Sequence, residues 1–209
     1  IRFVLIDLQR KFAYYGGERT LADLPHVLDT ISESDLFGKL LEQLNAEGER
    51  LKKEQLQPVH TTTNQPDQAL VVVIDNFDDF CDEIRPMVSA FTAMVRRYDP
   101  YGLHMIISGT PDSTNSENRR RILSPGYGIG LQTVQALSPL RVHRLPVGMQ
   151  DRELVVGRGY LVKSGQAKVM QVASPYEFFE SSESTGVITD DIWRRRKSLD
   201  NWVRRVCDR

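Results

Sequence analysis

The stretch Ala69-Leu70-Val71-Val72-Val73-Ile74-Asp75-Asn76-Phe77-Asp78-Asp79-Phe80 decides the fold of this chain. It places a continuous apolar run, with three consecutive valines, directly before an aspartate. A strand that is buried on both faces of a parallel sheet has this continuous apolar character, whereas a half-exposed strand alternates between apolar and polar residues. The stretch therefore predicts a central strand over residues 70–75, with Asp75 at its carboxyl end.

Two shorter segments repeat this pattern. Residues 3–7 are apolar up to Asp7, and residues 103–108 form another apolar run that ends in a polar turn. A helix-like segment precedes the second of these runs, and a strand, helix and strand joined by short connections form a right-handed crossover with parallel strands. We therefore expect an α/β fold whose three strands at 3–7, 70–75 and 103–108 are parallel.

Helical spacing and turn residues predict the remaining elements. Apolar residues at helical spacing indicate one helix from Ser34 to about Gln55 and a second helix that starts near Glu83, with Pro86 in its first turn. Pro25 favours extended backbone around it, which predicts a short extended segment at 26–30. Alternation predicts a strand over 130–135, and two strand-like runs predict a hairpin over 157–172 about Ser164-Gly165-Gln166. A basic helix with Trp193 and Trp202 is expected at the carboxyl terminus.

Composition excludes several classes of protein. The chain has 209 residues, of which 40% are hydrophobic and 26% charged, and its net charge is -1, so no global field attracts nucleic acid. Cys81 and Cys207 are far apart and match no zinc spacing, which favours a reducing compartment. The first residues lack the basic and long apolar regions of a signal peptide, and no segment approaches the roughly 20 apolar residues of a membrane span.

The predicted sheet has a candidate site at the carboxyl ends of its strands, where open α/β sheets bind ligands. Asp75 could help hold a Mg²⁺ ion that bridges nucleotide phosphates; alternatively it caps the helix that follows. Asn76 comes next, and its amide can form hydrogen bonds but cannot accept a proton. Thr110 follows the third strand at a position where a side chain could sense a γ-phosphate, although its neighbours are ordinary turn formers. We expect Asp7, Asp75 and Thr110 to lie at one edge.

Two basic segments allow alternative interpretations. Arg119, Arg120 and Arg121 could act on a phosphate held by a neighbouring subunit, or they could form a solvated face of a helix. The basic terminal helix could bind nucleic acid or acidic lipid, or it could pack its aromatic side chains onto the domain.

The sequence contains no phosphate loop of the form G-x-x-x-x-G-K-[S/T], in which backbone N–H groups and a lysine hold the phosphates. Its single Gly-Lys pair, Gly38-Lys39, lies inside a predicted helix and is followed by Leu40. The four histidines are scattered, so no Ser/His/Asp or Cys/His arrangement competes as a catalytic site.

Four passages occur together in the order and spacing of a known family: Phe3-Val4-Leu5-Ile6-Asp7 with Leu21-Ala22-Asp23-Leu24-Pro25-His26-Val27; the Walker B-like segment 71–80; Tyr101-Gly102-Leu103-His104-Met105-Ile106-Ile107; and Gly157-Arg158-Gly159-Tyr160-Leu161-Val162. On these passages the chain resembles the carboxyl-terminal two thirds of an FtsK/SpoIIIE-type P-loop ATPase domain, and it is most similar to type VII secretion ATPases of the EccC kind. The resemblance covers about residues 1–173 and leaves 174–209 as a carboxyl-terminal extension.

The resemblance carries expectations about fold, cofactors and site residues. It implies a RecA-like three-layer sandwich with a mostly parallel central sheet, followed by the hairpin and the terminal helix. In the family the Walker A segment precedes the position of Ile1, so a longer chain is expected to bind ATP and Mg²⁺, with neither bound to residues 1–209 alone. Asp75 would hold Mg²⁺ through the nucleotide, and Thr110 would contact the nucleotide. Asn76 stands where the family usually has a catalytic acid, which implies impaired hydrolysis.

The resemblance also implies partners and a location. The leading hypothesis is the ATPase module of a translocase for protein export, acting with other ATPase domains of the same chain or in a homo-oligomeric ring, on small helical secreted proteins. One alternative is a degenerate ATPase domain that binds a partner and regulates it; another is a DNA translocase motor. A cytoplasmic location is implied, with any membrane attachment made through segments outside this chain.

Overall fold

The computed structural model describes residues 1–11, 13, 19–56, 69–111, 116–123, 127–131, 134–142, 154–155, 157–172, 199 and 201–207. The chain divides into two compact units. Unit 1 contains Ile1–Ser108 and Pro175–Arg209, and unit 2 contains Gly109–Ser174. The assignment of 1–173 to one ATPase domain and of 174–209 to an extension stays a prediction.

Unit 1 is built on a four-stranded parallel sheet in the order β2-β1-β3-β4. The strands are β1 (Arg2–Ile6), β2 (Val27–Ile31), β3 (Leu70–Ile74) and β4 (Leu103–Ile107). The valine-rich run is the inner strand β3, which pairs with β1 on one side and β4 on the other, both in parallel. The predictions of an α/β fold and of three parallel strands are therefore confirmed, and the extended segment near His26 becomes the edge strand β2.

Three helices pack together on one face of this sheet. They are α1 (Phe37–Leu56), α2 (Phe77–Glu83) and α3 (Val88–Tyr98). One phenylalanine from each helix, Phe37, Phe80 and Phe91, meets the other two with ring centroids 5.1 to 5.5 Å apart. Because helices on opposite faces of a sheet cannot touch, this aromatic cluster places all three on the same face.

The predicted helix starting near Glu83 is wrong in its boundaries. The chain is already helical from Phe77, breaks at Ile84, passes through a 3-10 turn at Arg85–Met87 and starts a second helix at Val88. Pro86 explains the break, because it has no N–H to donate and it disfavours the α conformation at the preceding Arg85. The helix predicted over 34–55 is confirmed as a 3-10 turn at Ser34–Leu36 followed by α1.

Helices α1 and α3 are clamped together at Gly48 and Tyr98. The Tyr98 side chain is fully buried, and its hydroxyl lies 2.7 Å from Oε1 of Glu49 and 2.9 Å from Oδ1 of Asn45. Burial raises the pKa of Tyr98, and the hydrogen bond to the Glu49 carboxylate adds to this effect. Gly48 faces the ring so closely that a Cβ atom there would overlap it. The absence of a side chain at Gly48 therefore allows the two helices to approach.

Residues 199 and 201–207 are helical and pack on unit 1 through aliphatic side chains. Leu199 and Val203 form a buried cluster with Leu24. Trp202 remains 45% exposed, and Trp193 lies outside the described residues. The terminal helix thus packs back onto the unit, as one interpretation of the sequence proposed, but the buried contact is made by aliphatic side chains and does not include Trp202.

Unit 2 contains the short helix α4 (Ser116–Ile122) and a three-stranded antiparallel sheet in the order β5-β6-β7. Its strands are β5 (Gly128–Leu131), β6 (Arg158–Lys163) and β7 (Gln166–Gln171). Ser164 and Gly165 both have positive φ, as a two-residue hairpin turn requires, so the predicted hairpin is confirmed. The strand predicted over 130–135 is wrong in its bounds, because β5 starts at Gly128 and ends at Leu131, and a 3-10 helix occupies Val134–Leu140. No helix among the described residues is long and apolar enough to cross a membrane.

Candidate functional site

The carboxyl edge of the parallel sheet aligns three polar residues. Ile6, Ile74 and Ile107 are in register across the sheet, so the residue after each strand falls in the same row. Backbone hydrogen bonds extend the ladder by one residue, from the Asp75 N–H to the Ile6 carbonyl at 3.2 Å and from the Ser108 N–H to the Ile74 carbonyl at 3.0 Å. This register brings Asp7, Asp75 and Ser108 to one edge.

Asp75 and Ser108 are joined by a short hydrogen bond. The Ser108 hydroxyl donates to Oδ1 of Asp75 at 2.6 Å and accepts from the backbone N–H of Asn76 at 2.9 Å. The Phe77 N–H also donates to the Ser108 carbonyl at 2.9 Å. Hydrogen bonds to a charged acceptor are short and comparatively strong, so this one fixes the position of the carboxylate. Asp75 is only half-buried, and its carboxylate is therefore held in place while it remains accessible to solvent.

Asn76 has a left-handed backbone conformation, with φ 52° and ψ 73°, and occupies the N-cap position of α2. Asparagine adopts this conformation more readily than most residues do. Its side chain makes no capping hydrogen bond to the helix, so the amide has no role in the cap. The alternative in which Asp75 caps the helix does not match this geometry, because Asn76 holds that position.

Asp7 resembles Asp75 in sequence but has a different environment. Its side chain is 1% exposed, and the carboxylate accepts hydrogen bonds from the backbone N–H groups of Lys11 at 2.9 Å and Ala13 at 2.8 Å. These bonds satisfy buried donors of the segment that follows β1. Asp7 therefore anchors that segment, whereas the side chain of Asp75 remains partly accessible to solvent.

Thr110 belongs to unit 2, and its side chain is exposed. Its carbonyl oxygen accepts a hydrogen bond from the guanidinium of Arg119 at 2.6 Å, and Arg119 is 7% exposed. Arg121 pairs with Glu117 on the same helix at 2.5 Å, and Arg120 is exposed. Arg119 thus stabilises its own unit, and the roles of Thr110 at a phosphate and of the three arginines in a neighbouring subunit stay predictions.

Sequence reasoning missed Ser108 as the partner of Asp75. The turn Ser108-Gly109-Thr110 is visible in the sequence, but only the register of β3 with β4 shows that its first residue stands beside Asp75. One signal was available in the sequence. Ser108 follows directly after the apolar run of β4, just as Asp75 follows directly after the apolar run of β3.

A magnesium ion at this edge of the sheet would have Asp75 as its carboxylate ligand. Across the part of the chain that the structure describes, no three His, Cys, Asp or Glu side chains group closely enough to hold a metal ion by themselves. Mg²⁺ is usually held by one or two carboxylates together with water and substrate phosphates, and it does not require such a group. An accessible carboxylate fixed by a neighbouring hydroxyl therefore fits a magnesium ion that arrives with a nucleotide.

No protein-family model and no curated protein sequence matches the chain. Solved structures do match its fold. The cytoplasmic domain of EssC has a TM-score of 0.52 at 19% identity, covering 82% of this chain and 33% of that chain. EssC (ATPases 2 and 3) from Geobacillus thermodenitrificans has a TM-score of 0.51 at 16% identity, covering 100% of this chain and 38% of that chain. The cytoplasmic domain of the Thermomonospora curvata type VII secretion ATPase EccC has a TM-score of 0.47 at 18% identity, covering 82% and 20%.

This chain spans about a third of the length of the two EssC structures. At these identities the likeness concerns the fold, and it agrees with the parallel sheet and the separate hairpin sheet described above. The chain has the fold of the EssC ATPase domains, which confirms at the level of the fold its resemblance to the FtsK/SpoIIIE-type ATPases of type VII secretion.

Proposed function

We propose that this chain is part of an ATPase module of a protein-export motor of the type VII secretion kind, and that Asp75 is its magnesium residue. The observation that carries the proposal is the hydrogen bond between Asp75 and Ser108 at the carboxyl edge of the parallel sheet. The EssC-like fold supports it, because ligands of open α/β sheets bind at this edge. Other ATPase domains and secreted helical proteins would be its partners, in preference to DNA.

Asp75 and Ser108 have separate roles in this proposal. The carboxylate of Asp75 would bind the Mg²⁺ ion directly or through its water, and the Ser108 hydroxyl would orient that carboxylate. When bound, Mg²⁺ supplies positive charge next to the β- and γ-phosphate oxygens. Ser108 also accepts from the Asn76 N–H, so it links the metal-binding carboxylate to the turn that carries Asn76.

Asn76 limits the hydrolysis step. An amide can hold a water molecule by hydrogen bonding, but it can neither accept that water's proton nor place a negative charge beside it. General-base assistance typically contributes about 10² to 10⁴-fold to a rate. The proposed module therefore binds Mg-ATP and turns it over slowly.

A second candidate function is a partner-binding or regulatory module with a degenerate nucleotide site. It is favoured by the lack of a phosphate-loop motif in these 209 residues. The structure places Gly38-Lys39, the single Gly-Lys pair, in the first turn of α1, where helical hydrogen bonding leaves no loop to surround a phosphate.

A form of the protein that contains a Gly-Lys-Ser/Thr phosphate loop, with substitutions at Asp75 and Asn76, tests the proposal. Asp75→Asn should weaken Mg²⁺-dependent nucleotide binding, measured by titration calorimetry, since it removes the charge opposite the metal. Asp82→Asn is the matched control, because Asp82 is exposed on α2 and pairs with Arg85. Asn76→Glu should raise steady-state turnover about tenfold or more if the site lacks only a base. Asn76→Asp should be compared with it, because aspartate tolerates the left-handed backbone better than glutamate does.

Two outcomes would contradict the proposal, and a third would overturn a separate expectation about residues 1–209. Equal Mg-ATP affinity in wild type and Asp75→Asn would favour the partner-binding module. Turnover near 1 s⁻¹ or faster in wild type, left intact by Asn76→Ala, would show that another residue activates the water. Residues 1–209 alone should show no micromolar ATP binding, because the phosphate-binding N–H groups and lysine of a phosphate loop are missing from their sequence; saturable binding would overturn that expectation.

A further inference from the structure

The small negative net charge of the chain hides a strong asymmetry between its two units. Residues 109–174 contain nine Lys and Arg against four Asp and Glu, whereas the rest of the chain contains eighteen against twenty-four. Unit 2 is therefore basic although the whole chain is slightly acidic. Such asymmetry indicates that the basic part meets a polyanion or an anionic surface.

One face of the unit 2 sheet combines exposed apolar and basic side chains. Ile129 pairs with Leu161, and Leu161 pairs with Lys168, so these three side chains form a row across all three strands. Ile129 is 53% exposed and Leu161 44%, and Lys168 is exposed. Leu131 and Lys163 share this face by alternation along their strands, and both are exposed. We call this surface the outer face.

The opposite face of the same sheet forms the core of the unit. Tyr160, Val162 and Ala167 are buried there against Leu137 and Leu140 of the 3-10 helix. The apolar side chains of the outer face therefore have no part in that core. No residue of β5, β6 or β7 is acidic, so nothing on these strands offsets the lysines.

We propose that the outer face of unit 2 docks on an anionic lipid surface. Ile129, Leu131 and Leu161 would enter the boundary between headgroups and acyl chains, and Lys163 and Lys168 would contact the negative headgroups. Tyr127, which is 48% exposed and bonds Ser164 at the hairpin turn at 3.0 Å, provides an amphipathic ring of the kind that favours the interface. The inference is independent of the nucleotide site in unit 1.

The mixture of side chains favours lipid over nucleic acid. Binding to a phosphate backbone needs basic side chains, and its strength comes mainly from released counterions. Exposed aliphatic side chains between the lysines would gain nothing from such a partner. A lipid surface interacts favourably with both the aliphatic side chains and the lysines. Insertion buries apolar area among the acyl chains, while the lysine amines stay at the charged headgroups.

Sedimentation of the 209-residue chain with vesicles tests this surface. Vesicles of equal phosphatidylglycerol and phosphatidylcholine should bind the chain at physiological salt, and pure phosphatidylcholine should bind it far more weakly. Leu161→Ser should lower the partition coefficient about fivefold, since part of a leucine's transfer energy is lost. Val169→Ser is the matched control: Val169 is also 44% exposed, but its pairing with buried Tyr160 places it on the other face.

The lysines are tested in the same assay. Lys168→Gln should lower the partition coefficient about fivefold, because each basic residue close to an anionic surface contributes about that factor. Arg158→Gln is the control: Arg158 is exposed, but it lies two residues before buried Tyr160 on β6 and therefore shares the face of Tyr160, opposite the outer face. Circular dichroism melting of each variant must match that of the wild type, so that lost binding is not lost folding.

Several results would overturn the proposal. Absence of binding to anionic vesicles, equal binding to neutral vesicles, or equal losses in Leu161→Ser and Val169→Ser would each remove the outer face as a lipid surface. Duplex DNA serves as a parallel arm. Binding of DNA that exceeds vesicle binding and that Leu161→Ser leaves unchanged would assign the basic unit to nucleic acid instead.

Discussion

Replacing Gly48 by alanine should destabilise the protein, although alanine is the better helix former. A methyl group at Gly48 would lie 2.8 Å from Cε2 of Tyr98 and closer still to two other ring atoms. The ring has no room to turn away, because it is fully buried and its hydroxyl is bonded to Asn45 and Glu49. Overpacking of this kind costs about 1–3 kcal/mol, whereas the gain in helix propensity is about 0.5–1 kcal/mol. We expect a net loss of about 1–2 kcal/mol.

Thermal unfolding followed by circular dichroism measures this loss. For a chain of this length 1 kcal/mol corresponds to roughly 2–4 °C, so Gly48→Ala should lower the Tm by about 2–8 °C. Gly38→Ala in the same helix is the control, since no atom lies within 4 Å of a Cβ there, and it should leave the Tm unchanged or raise it slightly. An unchanged or higher Tm in Gly48→Ala would refute the conclusion that α1 and α3 need the space at Gly48 in order to pack.

Three further predictions concern buried and ionised groups. Tyr98 has a raised pKa in the folded state, so its contribution to stability is complete below pH 10 and is lost as the pH rises through its pKa in the folded protein. The Tm of Tyr98→Phe should therefore fall less steeply at alkaline pH than the Tm of the wild type. The hydrogen bond from Arg50 holds the pKa of Glu47 below 4.5, so the contribution of Glu47 to stability is present above pH 4.5 and is lost as the pH falls through its pKa in the folded protein. Glu47→Gln should therefore make the Tm fall less steeply with decreasing pH. A Tm that falls as steeply as in the wild type would exclude this contribution. Asp7→Asn should cost about 2 kcal/mol in urea unfolding, because an amide nitrogen would face a buried N–H, yet it should leave nucleotide affinity unchanged; reduced affinity at full stability would place Asp7 in the site.

The strands and their parallel pairing could be predicted because continuous apolar runs have few alternatives. Residues 70–74 and 103–107 could be identified as strands without any knowledge of their neighbours. The expectation that 103–107 is buried was wrong, because β4 is an edge strand in which Ile106 is 56% exposed. Their carboxyl ends then had to share an edge, which is why the position of Asp75 at that edge could be predicted. The order of the strands was not predictable in the same way, since nothing local places β1 between β2 and β3.

The remaining features depend on contacts between distant residues. Ser108 becomes the partner of Asp75 only through the register of two strands that are 33 residues apart. The glycine at position 48 has no visible purpose in the sequence, because the ring that needs its space comes 50 residues later. The net charge of -1 for the whole chain does not show that unit 2 is basic. The excess of basic residues becomes visible only when the residues of unit 2 are counted separately.

The central position of β1 has a consequence for how the chain folds. β1 pairs with β2, whose partner residues follow 24 or 25 positions later, and with β3, whose partner residues follow 68 positions later. Loop closure for the longer connection costs about 1 kcal/mol more than for the shorter one. During synthesis at about 5–20 residues per second, β3 emerges several seconds after β1. For that time one side of the apolar strand β1 is unpaired, and the nascent chain is exposed to aggregation. The valine run β3 ends this exposure when it pairs with β1, and it also places Asp75 at the edge of the sheet.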